Sequence, residues 1–378
     1  MSKIDSILTE MREVVDHPGR AVEEFKKKTG KKAIGCLPYY IPEEIVHAGG
    51  MLPVGVWGGQ TTITRASKYL PSFACSIMQG VMELALKGVY DGLSAAIIPA
   101  YCDTLKCIGE NWKVAIPQVK CIGLIYPQNR KIEAGVKFLE AEFDHVRSEL
   151  EEVSGEKISD DAISRSIEVY NQYRRTMREF CEVAADYPVT ITPAVRHTVI
   201  KAGYFRDKAE QTVQVKDLII ELKKLPAEKW NGSKVVIAGI MAEPDEYLNL
   251  FDEYHLAIAA DDLAQESRQF RTDVPAGSNP IERLARWWSI FSGCSLAYDP
   301  TKARGPMLID MVKKYKADAV VISMMKFCEP EEFDYPIIKK ELEAANIPCL
   351  YVEMDQQMQS VEQLRTRIQG FSELLKTR

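Results

Sequence analysis

The sequence predicts an α/β protein made of two Rossmann- or flavodoxin-like parallel-sheet units related by internal duplication, with a helical insert between them. Three observations carry this. Short continuous apolar runs alternate with helical stretches in two separate regions, as strands buried on both faces do. A long charged segment of helical period separates the regions. Each region also repeats a cysteine ahead of a helix and another just past a buried strand.

In order along the chain, residues 1–30 open with MSKIDSILTEMREVV and read as a charged amphipathic N-terminal helix. The first α/β domain, 31–131, holds strand runs at Ala33–Leu37, Leu52–Trp57, Ala95–Pro99 and Cys121–Ile125. A helical bridging region, 132–232, carries VKFLEAEFDHVRSELEEV, DAISRSIEVYNQYRRTMREFCEVAADY and AEQTVQVKDLIIELKKL, with Ser159-Asp160-Asp161 as a capping signal. The second α/β domain, 233–378, has strand runs at Val235–Gly239, Leu256–Ala260, Ala319–Ser323 and Cys349–Glu353, then a final helix near Ser360 to Lys376. In the repeat, Phe73-Ala74-Cys75-Ser76 matches Ser292-Gly293-Cys294-Ser295, each ahead of a helix. Cys102 matches Cys328, each past a strand. Ligands of open parallel sheets bind beyond the carboxyl ends of the strands, where these cysteines sit.

The 378 residues carry 48 Lys plus Arg against 54 Asp plus Glu, a net charge of −6, with 46% apolar and 27% charged residues. That is enough apolar chain for a sizeable core and rules out intrinsic disorder. A pI near 5.6 without a block of Lys and Arg argues against nucleic acid or an anionic membrane as partner. No run of about 18 uncharged apolar residues occurs and the opening helix lacks a signal-peptide core, so a cytoplasmic location is expected. Nine cysteines, an odd number in such a context, are expected as reduced thiols.

No G-x-G-x-x-G, G-x-x-x-x-G-K-[ST], H-E-x-x-H or nucleophile elbow is present, so nicotinamide, P-loop and zincin readings lose their support. No C-x-x-C pair occurs, so a metal site has to gather ligands from distant loops. Cys75, Cys102 and Cys328 are placed for this, at helix starts where the macrodipole favours a thiolate. Three converging thiolates suit an iron-sulfur cluster with one open iron, while small buried hydrophobes is the plainer account. Cys294 is a reserve ligand and Cys107, one turn past Asp103, is ambiguous. Cys36, Cys121 and Cys349 within strands and Cys181 on the long helix are expected in the core.

Several motifs occur together in order: Ile41-Pro42-Glu43-Glu44, Ala48-Gly49-Gly50 with Pro53, Phe73-Ala74-Cys75-Ser76, Pro99-Ala100-Tyr101-Cys102-Asp103-Thr104, Lys326-Phe327-Cys328-Glu329-Pro330 and Thr366-Arg367-Ile368-Gln369-Gly370-Phe371. This set resembles the 2-hydroxyacyl-CoA dehydratase family, which also contains the benzoyl-CoA reductase subunits, and the resemblance spans nearly the whole chain. The length and the segment Asp261 to Asp273 look most like the β subunit of clostridial-type enzymes acting on 2-hydroxyglutaryl-, 2-hydroxyisocaproyl- or phenyllactyl-CoA.

The resemblance implies a 4Fe-4S cluster on Cys75, Cys102 and Cys328, a homologous α subunit as heterodimer partner, an ATP-dependent iron-sulfur activator protein that injects one electron, and an acyl-CoA substrate. The chemistry explains such equipment. The β hydrogen of a 2-hydroxyacyl thioester is not acidified by the carbonyl, so general-base elimination faces a high barrier. One-electron reduction gives a ketyl radical anion that expels the hydroxyl, after which the β hydrogen becomes acidic and the electron is returned. In a β subunit the cluster is expected to relay the electron while substrate sits mainly on the α subunit, leaving this chain inactive alone. An aromatic acyl-CoA reductase subunit and a metal-free nucleotide- or CoA-binding scaffold are the alternatives.

Other polar residues carry two readings each. Glu44 is a catalytic base or proton relay, or simply part of an acidic first turn after Pro42. The segment Gly35-Cys36-Leu37-Pro38-Tyr39-Tyr40 lacks the serine expected of a substrate-binding α subunit, which counts against the base. His47 is a cleft residue or a satisfied structural histidine. Arg268 and Arg271 bind CoA phosphates or the partner subunit, or pair internally with Asp261, Asp262, Glu266 or Asp273. Lys326 is exposed or tunes the cluster. Tyr39, Tyr40, Trp287 and Trp288 fit core or interface alike.

Overall fold

The structure, a computed structural model, describes residues 2–38 and 40–377; Tyr39 lies outside them. The N-terminal segment forms two helices rather than one, α1 (Lys3–Asp16) and α2 (Pro18–Thr29). Ser2 and Asp5 cap α1 reciprocally. Pro18 ends the run because it has no N–H for an interior turn, yet it suits the first position of α2. Gly30, at φ 68°, closes α2 in the left-handed conformation.

The first sheet unit runs β1 (Ala33–Cys36), α3 (Glu43–Ala48), β2 (Leu52–Gly55), α4 (Ser76–Leu86), β3 (Ala95–Pro99), α5 (Asp103–Ala115) and β4 (Lys120–Leu124). A helical layer follows, with α6 (Glu133–Ser154), α7 (Asp160–Ala184), α8 (Pro193–Ala202) and α9 (Lys208–Leu222). Ser159 caps α7 as the sequence signals, and Thr192 with Pro193 at the first helical position opens α8 in the same way. The second unit comprises β5 (Ser233–Gly239), α10 (Asp245–Glu253), β6 (Leu256–Leu263), α11 (Ser267–Phe270), α12 (Pro280–Ile290), α13 (Arg304–Tyr315), β7 (Ala319–Met325), α14 (Glu329–Ala344), β8 (Cys349–Met354) and α15 (Glu362–Lys376).

Both sheets are four-stranded, parallel and wound in one order, β2-β1-β3-β4 and β6-β5-β7-β8. The duplication expected from the sequence is therefore a duplication of topology. The chain reverses its winding between β1 and β3, and again between β5 and β7, so crevices open beyond those strand ends. One continuous core joins the two units, from Ile34 and Ile97 through Trp288 and Phe291 to Val321 and Val352. A second core packs α1 against the helical layer through Met11, Met177, Phe180 and Leu218. Trp287, Trp288 and Tyr40 belong to the interior, with Tyr40 5.1 Å from Trp288 and 4.8 Å from Phe291 between ring centroids. Among the described residues no helix is long and apolar enough to cross a membrane.

The loop ahead of α4 is organised by one buried carboxylate. Glu83 accepts from the backbone N–H groups of Thr64 (3.0 Å), Arg65 (2.7 Å) and Ala66 (2.8 Å), and from the Thr64 hydroxyl (2.8 Å). Burial opposes its charge, but the donors of Ala66 and Thr64 outweigh burial and hold the acid at about 2, against an ordinary 4.5. A depressed folded value means the stabilisation is complete above pH 4.5 and is lost as pH falls towards 2. Urea unfolding across that window should show the wild type losing stability faster than Glu83→Gln. At neutral pH the variant should be less stable by about 3 kcal/mol, because the amide leaves buried N–H groups unmatched.

Candidate functional site

Cys75, Cys102 and Cys328 are each the N-cap residue of a helix, of α4, α5 and α14 respectively, and none of the three uses its side chain to cap it. Buried strand ends set two of these positions. β3 stops at Pro99 and β7 at Met325, and each chain turns within a few residues into a helix. Phe327 makes the second turn at φ 62°, a conformation that non-glycine residues rarely adopt. The three thiols line one cavity of about 160 Å³ between the two sheet units, together with Phe73, Leu296 and Phe327. Phe73 is 66% exposed and Phe327 51%, so aromatic rings stand at its mouth. Cys107, the exposed cysteine, lines the same cavity from one turn along α5.

Burial raises all three thiols. Cys75 is pushed to about 12, with the N–H groups of Met78 and Ile77 opposing. Cys102 is raised by desolvation against the N–H groups of Leu105 and Thr104. Cys328 is raised well above the ordinary thiol value, by desolvation first and then by the Glu331 carboxylate and the neighbouring Cys75. Without metal these are neutral thiols at pH 7, and ligation there releases protons. Among the described residues no three His, Cys, Asp or Glu close on one point as a single bound ion requires. A four-iron cluster is wider than one ion, and a set of soft thiol donors spread around a cavity is the set it takes.

Cys294 is elsewhere. It is buried, accepts a hydrogen bond from the Tyr40 hydroxyl at 3.1 Å, and does not line the cysteine cavity. The repeat breaks because α4 starts one residue after Cys75, whereas α13 starts only at Arg304. Cys36, Cys121 and Cys349 lie in β1, β4 and β8, and Cys181 lies on α7 beside Arg196 at 3.2 Å.

Arg268 is fully buried, so it is neither a CoA-phosphate contact nor an interface residue. It donates to Asp262 at 2.9 and 3.0 Å and to Glu331 at 3.1 Å. Arg304 joins them through Asp262 and Glu331, both at 2.7 Å. Arg271 also donates to Asp262, and α11 ends before it, so the two arginines share a carboxylate, with Arg271 left partly exposed. Burial opposes the charge of Asp262, but the arginines outweigh it and hold the acid far below the carboxylate range. Sequence reasoning named Asp262 as a partner and missed Glu331, which sits three residues beyond Cys328 at the carboxylate-favouring start of α14.

Glu44 is buried and paired with Arg174, away from the cysteine cavity, with Pro42 capping α3 rather than opening it. The pairing and the acidic first turn match the structural reading, and the geometry gives no support to Glu44 as a base. His47 is satisfied by Ser166 at 2.8 Å and Asp207 at 3.3 Å. Lys326 is exposed.

Residues 38–375 match the model of the family described as 2-hydroxyglutaryl-CoA dehydratase, D-component. The chain belongs to this family. It is 49% identical over 377 residues to the lactoyl-CoA dehydratase subunit beta of Anaerotignum propionicum, covering 99% of this chain and 100% of the relative. It is 43% identical to the (R)-phenyllactyl-CoA dehydratase beta subunit of Clostridium sporogenes, with 99% and 100% covered. It is 41% identical to the (R)-2-hydroxyglutaryl-CoA dehydratase subunit beta of Acidaminococcus fermentans, with 98% and 100% covered. The family resemblance read from the motifs is thereby established, and the dehydratase-family chain has its cysteines in the arrangement described above.

Removing one partner from a buried ion network leaves charges without water or counterion. Arg268→Ala should lower unfolding free energy by about 4 kcal/mol in a urea titration. Arg268→Lys should recover only part of this, since an ammonium cannot match the two-oxygen geometry on Asp262.

Proposed function

We propose that this chain is the β-type subunit of a 2-hydroxyacyl-CoA dehydratase, a hydro-lyase that works only as a heteromeric complex, and that it holds a 4Fe-4S cluster on Cys75, Cys102 and Cys328. The homologous α-type subunit and an ATP-dependent iron-sulfur activator are its partners, and a 2-hydroxyacyl-CoA is the substrate of the assembled enzyme. One observation carries the reading: three thiols from three separate helix N-termini line one cavity between duplicated sheets. Relatives at 41% to 49% identity, all beta subunits of acyl-CoA dehydratases, support the reaction class.

When bound, the cluster would supply one-electron transfer to the dehydration. The chain's own residues do the rest. Cys75, Cys102 and Cys328 give up their protons to become ligands. The N-terminal turns of α4, α5 and α14 place partial positive charge around the thiolates. Leu296, Phe73 and Phe327 keep the cavity wall apolar and thin the water around it. The ion network of Asp262, Arg268, Arg304 and Glu331 fixes the first turn of α14, and with it Cys328.

The test is iron and acid-labile sulfide content with the visible spectrum, on anaerobically prepared protein. Wild type should carry about four irons per chain, and Cys75→Ser, Cys102→Ser and Cys328→Ser should each lose most of them, since serine is a poor ligand for iron. Cys294→Ser and Cys107→Ser should keep theirs. Unchanged iron in the first three variants overturns the assignment.

A further inference from the structure

The cysteine cavity is shared between two halves of the chain: Cys75 and Cys102 belong to the first sheet unit and Cys328 to the second. A group held across such a boundary needs the spacing of the halves fixed. Apolar contact alone leaves that spacing loosely specified, because packed side chains slide and repack more easily than directional bonds break.

One hydroxyl stands at the boundary. Ser76, next to Cys75 and the first residue of α4, is buried. A hydroxyl has one hydrogen to give and lone pairs with which to accept, and Ser76 uses both across the boundary. It accepts from the backbone N–H of Gln356, just beyond β8, at 2.9 Å, and donates to the Met325 thioether at 3.0 Å. Met325 ends β7, and its carbonyl accepts from the N–H of Cys328 at 3.1 Å. Two hydrogen bonds thus lead from the residue beside Cys75 to Cys328 itself.

The turn after β8 grips the first unit next to this point. The side-chain amide of Gln356 donates to the Trp57 carbonyl at 3.0 Å. Gln357 accepts from the Thr61 N–H at 2.7 Å and donates to the Gly59 carbonyl at 2.9 Å. Both glutamines need bare backbone opposite them. A Cβ at Gly58, where φ is 76°, would lie 2.6 Å from Gln356 Oε1, and one at Gly80 would lie 2.8 Å from Gln357 Nε2. Gly80 is interior to α4, where glycine weakens a helix, and its missing side chain is what admits Gln357.

We propose that Ser76 is a positioning residue: with Met325 and the Gln356–Gln357 turn it sets the separation of Cys75 from Cys328, and so how firmly the three thiols retain their cluster. Retention rests on the cluster reading above; the spacing does not. The thioether acceptor separates this role from packing, because Met325→Leu conserves volume while removing the sulfur.

Iron release to excess chelator from the anaerobically prepared full chain tests this. Ser76→Ala should lose iron about tenfold faster than wild type, the effect of one buried hydrogen bond on the closed arrangement. Met325→Leu should also be faster, with an unchanged melting temperature, and Ser76→Thr, which keeps the hydroxyl, should match wild type. The double variant Ser76→Ala/Met325→Leu should be no faster than Ser76→Ala, since both changes break one link. Wild-type release from Ser76→Ala, equally fast release from Ser76→Thr, or effects that multiply in the double variant each overturns the proposal. Should Ser76→Ala fail to fold, Met325→Leu decides alone, and wild-type release from it is the overturning result. If wild type carries no iron, the cluster reading has failed and the metal-free chain decides the spacing. A short bis-alkylating thiol reagent should then join Cys75 to Cys328, read as a linked peptide by mass spectrometry, with markedly less product in Ser76→Ala. No linked peptide in wild type, or equal yields from the two, overturns the proposal there.

Discussion

The architecture around the cysteine cavity depends on how one carboxylate, Asp262, is kept charged in the interior. It lies at the end of β6 without solvent exposure, where an unpaired anion would cost several kcal/mol. Three arginines answer it: Arg268 from α11, Arg271 just beyond, and Arg304 opening α13. Three cations around one anion need a further acceptor, and Glu331 supplies it to Arg268 and Arg304 while also accepting from Ser295 at 2.7 Å. Because Glu331 belongs to the first turn of α14, the network anchors the helix whose N-cap is Cys328. A charge problem at the edge of one sheet thereby fixes a thiol facing the other.

The same logic recurs with different donors. Glu83 holds the loop before α4 with backbone N–H groups, and α4 carries Cys75. Glu243 gathers His197 from the helical layer, Gln265 from beyond β6 and Gln356 from beyond β8. Gln356 in turn donates to the Trp57 carbonyl at 3.0 Å, and its backbone N–H donates to the Ser76 hydroxyl at 2.9 Å. Glu83 works within the first unit and Asp262 within the second, while Glu243 ties the two together through Gln356, where their shared apolar core alone would specify packing but not orientation.

The strands were legible because buried parallel strands are continuous apolar runs: every one of the eight falls where the runs lie, with ends shifted by only a few residues. Capping chemistry made α7 legible through Ser159. The convergence of Cys75, Cys102 and Cys328 followed from the edge rule for parallel sheets, since all three sit at helix starts on the carboxyl side of strands. Cys294 was misplaced because repeat symmetry in sequence does not report where the following helix begins. Arg268 was ambiguous because charge on a short helix reads as surface; only the fold reveals that Glu331, 63 residues on, waits for it. Gln265 and Gln356 gave no sequence signal at all, as their meaning lies in the one carboxylate they share.

Duplication also accounts for the asymmetry between the two halves. A duplicated unit starts with equivalent cysteines at both edges, yet the single cavity between the units is lined by only some of them. The first unit contributes Cys75, Cys102 and Cys107 and the second contributes Cys328. The fourth equivalent, Cys294, is displaced by the stretch before α13 and becomes a partner for the Tyr40 hydroxyl within the aromatic core. Leu296, two residues on, lines the cavity in its stead. Where the repeat would have placed a second thiol from the second unit, an apolar side chain stands, and the uneven share of cysteines between the two units follows from the geometry of the break in the repeat.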